Sequence, residues 1–150
     1  QGRTGALDDA AANDGFNLVT QQTAEWNAEK AQQIVQSVID AGTPFNVIYA
    51  ENDDMAKGAV AALDKANISH GVGKDVIVMG FDCNKWALEE LKAGNWNYDG
   101  QCNPFQASYI DEIIKKLENG ETISEKTIIM DEKGFDATTI TQEDVDNYGI

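Results

Sequence analysis

Apolar residues fall along this chain in two rhythms, short unbroken runs and stripes of helical period. Val47 to Ala50 (VIYA) and Val76 to Phe81 (VIVMGF) are unbroken runs of strand length, the pattern of strands covered on both faces. Between them, Ala56, Ala59, Val60 and Leu63 recur at helical spacing and predict a helix over Met55 to Leu63. Ala31, Ile34, Val35, Val38 and Ile39 predict an earlier helix from about Trp26 to Ala41, with Gly42 and Pro44 ending it. Thr4 to Phe16 is Ala-rich and helix-compatible, with Gly15 placed as its stop, and Asn17 to Gln22 reads as a strand. Trp86 to Leu91 reads as a short helix closed by Gly94, and Asn95 to Cys102 as a poorer strand. After Pro104, the stripe of Phe105, Tyr109, Ile110, Ile113, Ile114 and Leu117 predicts a helix closed by Gly120. Thr127 to Met130 reads as a last strand, and TQED at 141 to 144 as a capped, acidic helix start. Strands and helices alternate through the centre of the chain. A parallel sheet in an α/β fold is the economical reading.

The join at Asn52 is the most informative point, because in such sheets ligands bind outside the carboxyl ends of strands. Asn52 is placed either to touch a small molecule or to cap the helix whose first turn holds Asp53 and Asp54. Asp82 stands in the same relation to the second buried run, as ligand-binding carboxylate or as cap.

One hundred and fifty residues suit one domain, and 42% apolar residues suffice for a core. Eleven basic against 26 acidic side chains give a net charge of -15, which argues against nucleic acid or an anionic membrane surface as partner. The single His70, in HGVGKD, lacks the companions that a zinc site or a Ser-His-Asp arrangement requires, and reads as an exposed loop residue. GVGKD precedes a strand and is a turn, not a phosphate loop. NDDMAKG lacks the alternating ligands of a calcium loop. No metal, cofactor or catalytic residue is expected.

Four segments, AENDDMAKGAVAAL (50 to 63), VIVMGFD (76 to 82), ALEELKAG (87 to 94) and CNP (102 to 104), follow one another as in the sugar-binding proteins of ABC importers. The chain resembles the later half of the type I periplasmic binding proteins of the ribose, galactose and galactofuranose kind. The resemblance implies a doubly wound lobe, incomplete without its first strand and without an N-terminal lobe. It implies further a sugar in the interlobe cleft, an ABC permease as partner, an extracytoplasmic or lipid-anchored location, and no catalysis. In that family the helix over 104 to 120 packs on the other lobe, and the absent strand lies between those at 17 to 22 and 46 to 50.

The same resemblance assigns Asn52 and Asp82 to the ligand and Trp26 to stacking on a sugar ring, an aromatic face with one N–H donor. The three are expected to face one concavity. Trp86 and Trp96 match no such role and read as packing residues. Where the family commonly has an arginine, this chain has Ala12, so either Arg3 or Asn13 takes over, or the ligand offers fewer acceptors there. Where many members have Gln before Asn-Pro, it has Cys102, with Gln101 one residue earlier and on the other face of a regular strand. Simple ribose is therefore not the expected ligand. Cys83 and Cys102 fall at one sheet edge, where a disulfide forms only if the Cα separation allows. The effector domain of a LacI-type repressor is the alternative. Against it stands NKWALEELKAGNWNYDGQCNP after GFD, where those repressors carry a Pro-containing stretch ending in Leu-Thr-Thr-Val.

Overall fold

The computed structural model describes residues 2–150, in the order α1 (Gly2–Asn13), α2 (Ala28–Asp40), β1 (Val47–Tyr49), α3 (Asp53–Lys65), β2 (Ile77–Asp82), α4 (Lys85–Lys92), β3 (Tyr98–Gln101), α5 (Ala107–Glu118), β4 (Gly134–Asp136) and α6 (Gln142–Tyr148). The sheet runs β1-β2-β3-β4, with β1, β2 and β3 parallel and β4 antiparallel to β3. The parallel expectation thus holds for three strands and needs correcting at the fourth. The last strand is also not at 127 to 130, which is irregular and leaves Ile128 and Ile129 exposed. Its place is taken by Gly134–Asp136, where Phe135 can drop into the core opposite Asp99 while Gly134 clears the Tyr98 hydroxyl.

The register gives the sheet two unlike faces. Ile48, Val78, Gly80, Asp99 and Phe135 share one face, covered by α3 and α4, and the core of Leu63, Val76, Val78, Leu88, Leu91, Trp96 and Val145 lies there. Trp86 and Trp96 meet edge to face at 5.8 Å, the packing role expected of them. Val47, Tyr49, Ile77, Met79 and Phe81 share the other face, where α1 makes contact through the Tyr49 hydroxyl, which donates to the Arg3 carbonyl at 3.0 Å. Val47 and Ile77 remain substantially exposed. Strands 47–50 and 76–81 are therefore not covered on both faces as their unbroken apolar runs predict.

Residues 17–22 form no strand either. They are exposed and irregular, and β1 is the sheet's edge. A strand needs a neighbour for its N–H and C=O groups, and this segment has none beside it. Between it, α2 and β1 runs a groove of about 660 Å³ lined by Phe16, Leu18, Val19, Ile34, Val47 and Tyr49 among others.

On the covered face the helices sit close. Gly58 of α3 faces the N-terminus of α2, where a Cβ would come within 2.0 Å of the Ala28 carbonyl oxygen. α6 starts with the full reciprocal cap expected of TQED: Thr141 accepts from the Asp144 N–H while the Asp144 carboxylate accepts from the Thr141 N–H. His70, expected as an exposed loop residue, is half-buried instead, with Nδ1 at 2.9 Å from the Asn95 carbonyl and Nε2 at 3.1 Å from Asp64.

Candidate functional site

Tyr49 is in register with Met79 and Asp82 with Gln101, so Asn52, Asp82 and Gln101 leave the sheet at one edge, the carboxyl edge of the parallel strands. Asn52 does what its spacing allows on the structural side. Its Oδ1 accepts from the Met55 N–H at 2.9 Å and caps α3. That bond uses Oδ1 and leaves Nδ2 without an acceptor among the described residues. Capping and binding are thus compatible uses of one amide.

Asp82 closes β2 with φ at 114° and is followed by Cys83 at 61°, so the chain leaves the strand through two successive left-handed residues. Its carboxylate is partly exposed and accepts from Arg3 Nη2 at 2.8 Å. Arg3 also donates to the Glu51 carbonyl and stacks over the Phe81 ring at 4.8 Å. Of the two candidates to replace the guanidinium absent at Ala12, Arg3 is therefore the one beside Asp82. Asn13 ends α1 with its amide on the Asp9 carbonyl at 2.9 Å.

Trp26, also left-handed at φ 59°, stands exposed just before Asn27, the cap of α2. It lines the groove together with Tyr49, Ala50 and Glu51, which lead into Asn52, but Asn52 and Asp82 are not among the lining residues, so the three expected residues do not share this one concavity. Gln101 is turned toward the return strand, with Oε1 accepting from the Lys133 N–H at 3.2 Å. Cys102 is exposed and Cys83 buried, and both thiols are free.

Behind the edge lies a cluster that pattern reading passed over. Asp53, the first residue of α3, is wholly buried, and its Oδ2 accepts from the Asn84 N–H at 2.8 Å and the Asn84 amide at 3.0 Å. Asp99, wholly buried in the middle of β3, takes the Cys83 thiol at 3.8 Å on Oδ1. Asp99 is the register partner of Gly80, the residue beside which Asp53 Oδ1 lies, so the two carboxyl groups are neighbours on one face of the sheet. Room for them comes from Gly80, where a Cβ would fall 2.7 Å from Asp53 Oδ1 and 2.8 Å from the Trp96 ring. Burial, offset in part by the Asn84 donors, raises Asp53 to about 6. Burial and then the neighbouring Asp53 charge raise Asp99 to about 9. The same burial, together with the nearby carboxylates, pushes the Cys83 thiol well up. The available signal was an acid in the strand-like NYDGQC, set in phase with buried positions.

The donors at the edge are hydrogen-bonding groups suited to hydroxyls. No cluster of three His, Cys, Asp or Glu side chains able to hold a metal ion occurs among the described residues. A family profile described as "Periplasmic binding protein domain" matches residues 1–122. The chain belongs to that family. It is 31% identical over 132 residues to the fructose import binding protein of Bifidobacterium longum, covering 87% of this chain and 38% of that protein. It is 30% identical over 131 residues to the putative rhizopine-binding protein of Rhizobium meliloti, covering 85% and 41%.

Among solved structures, a galactofuranose binding protein superposes with a TM-score of 0.82 at 21% identity, over 97% of this chain and 49% of that one, a likeness of fold. An ABC transporter periplasmic solute binding protein from Actinobacillus succinogenes, with bound D-allose, gives 0.76 at 30% identity, over 96% and 48%. This periplasmic binding protein chain thus spans less than half the length of these relatives. No described helix is long and apolar enough to cross a membrane.

Proposed function

We propose that this chain forms one side of the sugar site of an extracytoplasmic solute-binding protein, and that the complete protein delivers its ligand to an ABC permease without catalysing a reaction. The observation that carries the reading is the convergence of Asn52, Asp82 and Arg3 at the carboxyl edge of β1 and β2. A carboxylate that accepts from two hydroxyls, flanked by an amide N–H donor and a guanidinium, matches the alternating donors and acceptors of a sugar ring. Trp26, in the adjoining groove, offers an apolar ring face. Gln101 and Cys102 follow on β3. The printed functions of the relatives, import of fructose among them, support the same reading.

The remainder of the site belongs to an N-terminal lobe of the same protein. Supporting this, α5 buries none of its residues, and Phe105 just before it and Tyr109, Ile110, Ile114 and Leu117 on it are exposed, a stripe fit to pack on a second lobe. The groove beside the β1 edge is apolar, and a strand of the same protein laid along it would pair that edge.

A thermal-shift screen of the full-length protein against mono- and disaccharides tests the function, since a ligand that binds only the native state raises Tm by mass action. The expected result is a rise with at least one sugar that Asp82→Ala abolishes. No shift with any sugar, or one indifferent to Asp82, would sink it.

A further inference from the structure

Asp53 and Asp99 each leave one fully buried oxygen, Oδ1 and Oδ2 respectively, without an N–H or O–H donor from any other described residue. Asp53 Oδ1 occupies the space that Gly80 keeps open against Trp96, and Asp99 is the register partner of Gly80 on the next strand, both acids out of reach of water. Two neighbouring carboxylates in a dry site repel, and each orphaned acceptor is costly. A proton between them satisfies both at once.

Their other atoms hold one short segment. Asp53 takes both the backbone N–H and the side-chain amide of Asn84, and Asp99 takes the thiol of Cys83. Those are the residues that follow Asp82 through the two left-handed positions, a conformation that persists only where the surroundings over-determine it. Asp53 also follows Asn52 directly in sequence, so the pair ties together the two loops that carry the candidate ligand groups. We infer that Asp53 and Asp99 share a single proton, and that the bridged pair is the positioning element that holds the Asp82 turn at the sugar site.

The charged and titratable groups acting on the pair are Asp82, whose negative charge favours keeping the proton, and the Cys83 thiol, which burial holds protonated and which donates to Asp99. Unfolded, Asp99 has the ordinary value near 3.8; folded, it is raised to about 9. Between those limits the folded state holds a proton that the unfolded state has released, so its stability falls as pH rises from about 4 to about 9. The linkage of one proton changes the unfolding constant by up to roughly tenfold per pH unit.

The test uses the full-length protein, wild type and Asp99→Asn, in which an amide N–H replaces the shared proton, with Asp53→Asn as the second variant should the first not fold. Wild type should show the infrared C=O band of a protonated buried carboxyl at neutral pH, lost in Asp99→Asn. Its unfolding constant should rise from neutral pH toward about pH 9, the Asp99 range, and the variant's should not. Amide hydrogen exchange at Cys83 and Asn84 should lose protection above about pH 9 in wild type, compared with the variant at the same pH. Absence of the band, or matching pH profiles, overturns the shared proton. Unchanged protection at Cys83 and Asn84 overturns the positioning role. The binding consequence alone rests on the sugar-site reading: any sugar found by the screen should lose affinity over the same alkaline range, less so with Asp99→Asn. A failed sugar screen would defeat that reading and leave the infrared and exchange results to decide this one.

Discussion

α3 and α5 have closely similar length and amphipathic pattern, yet α3 buries six of its residues and α5 none. The difference lies in what stands opposite. α3 carries Ala56, Gly58, Ala59 and Ala62, small residues that let α2 and the sheet come close, and Leu63 then fills the core. α5 carries Ile110, Ile113, Ile114 and Leu117 with no covering element among the described residues. Their starts differ as well: α3 has a side-chain cap on Asn52, whereas Gln106 makes no such bond. An apolar stripe therefore specifies that a helix has a buried side without saying what covers it.

The contrast can be broken most directly at its two leucines. Leu63→Ala should destabilise by about 2 to 5 kcal/mol in denaturant unfolding, the range for a large-to-small change in a closed core. Leu117→Ala should leave the 150-residue segment nearly unchanged but approach the same loss in the full-length protein. Equal effects in the two contexts would show that α5 gains no cover from a second lobe. At the sheet edge beside the start of α3, Asp82→Ala should weaken sugar binding by roughly 1.5 to 3 kcal/mol, the value of a charged hydrogen bond, as read by calorimetry on the full-length protein. Gly80→Ala should lower stability by about 1 to 3 kcal/mol, because the added methyl meets Asp53 and Trp96. An unchanged Tm would show that the covered face has slack. The smallest effect belongs to the reciprocal cap of α6, where Thr141→Ala should cost about 1 kcal/mol in thermal unfolding.

What was legible in the sequence was whatever rests on local periodicity. α2, α3, α4 and α5, the strands at 47 and 77, and the cap at Thr141 all follow from spacing and end signals within a dozen residues. The strand expected at 17 to 22 fails because strand formation needs a neighbour, which pattern alone does not supply. The strand expected at 127 to 130 fails because hydrophobicity favoured TIIM over GFD, whereas pairing selected the segment whose single Phe135 meets a core position. Asn52 and Asp82 were legible as strand-end positions, and the fold sets both at one edge; Trp26 follows no strand and lies along the adjoining groove. Asp53 and Asp99 were not found. Their meaning depends on contacts between residues 46 positions apart, across a glycine whose only contribution is the absence of a side chain.

The two cysteines lead to a practical end. Cys83 is sealed behind the sheet with its thiol pushed up by burial, so it holds little of the thiolate that reacts with alkylating reagents. Cys102 is exposed, one residue beyond Gln101 at the edge where the sugar would rest. A maleimide fluorophore added to the native protein would therefore be attached at Cys102 in preference to Cys83, without engineering. With the sugar site as proposed, such a dye would sit beside it and report its filling, making the unaltered sequence the starting point for an optical sugar sensor.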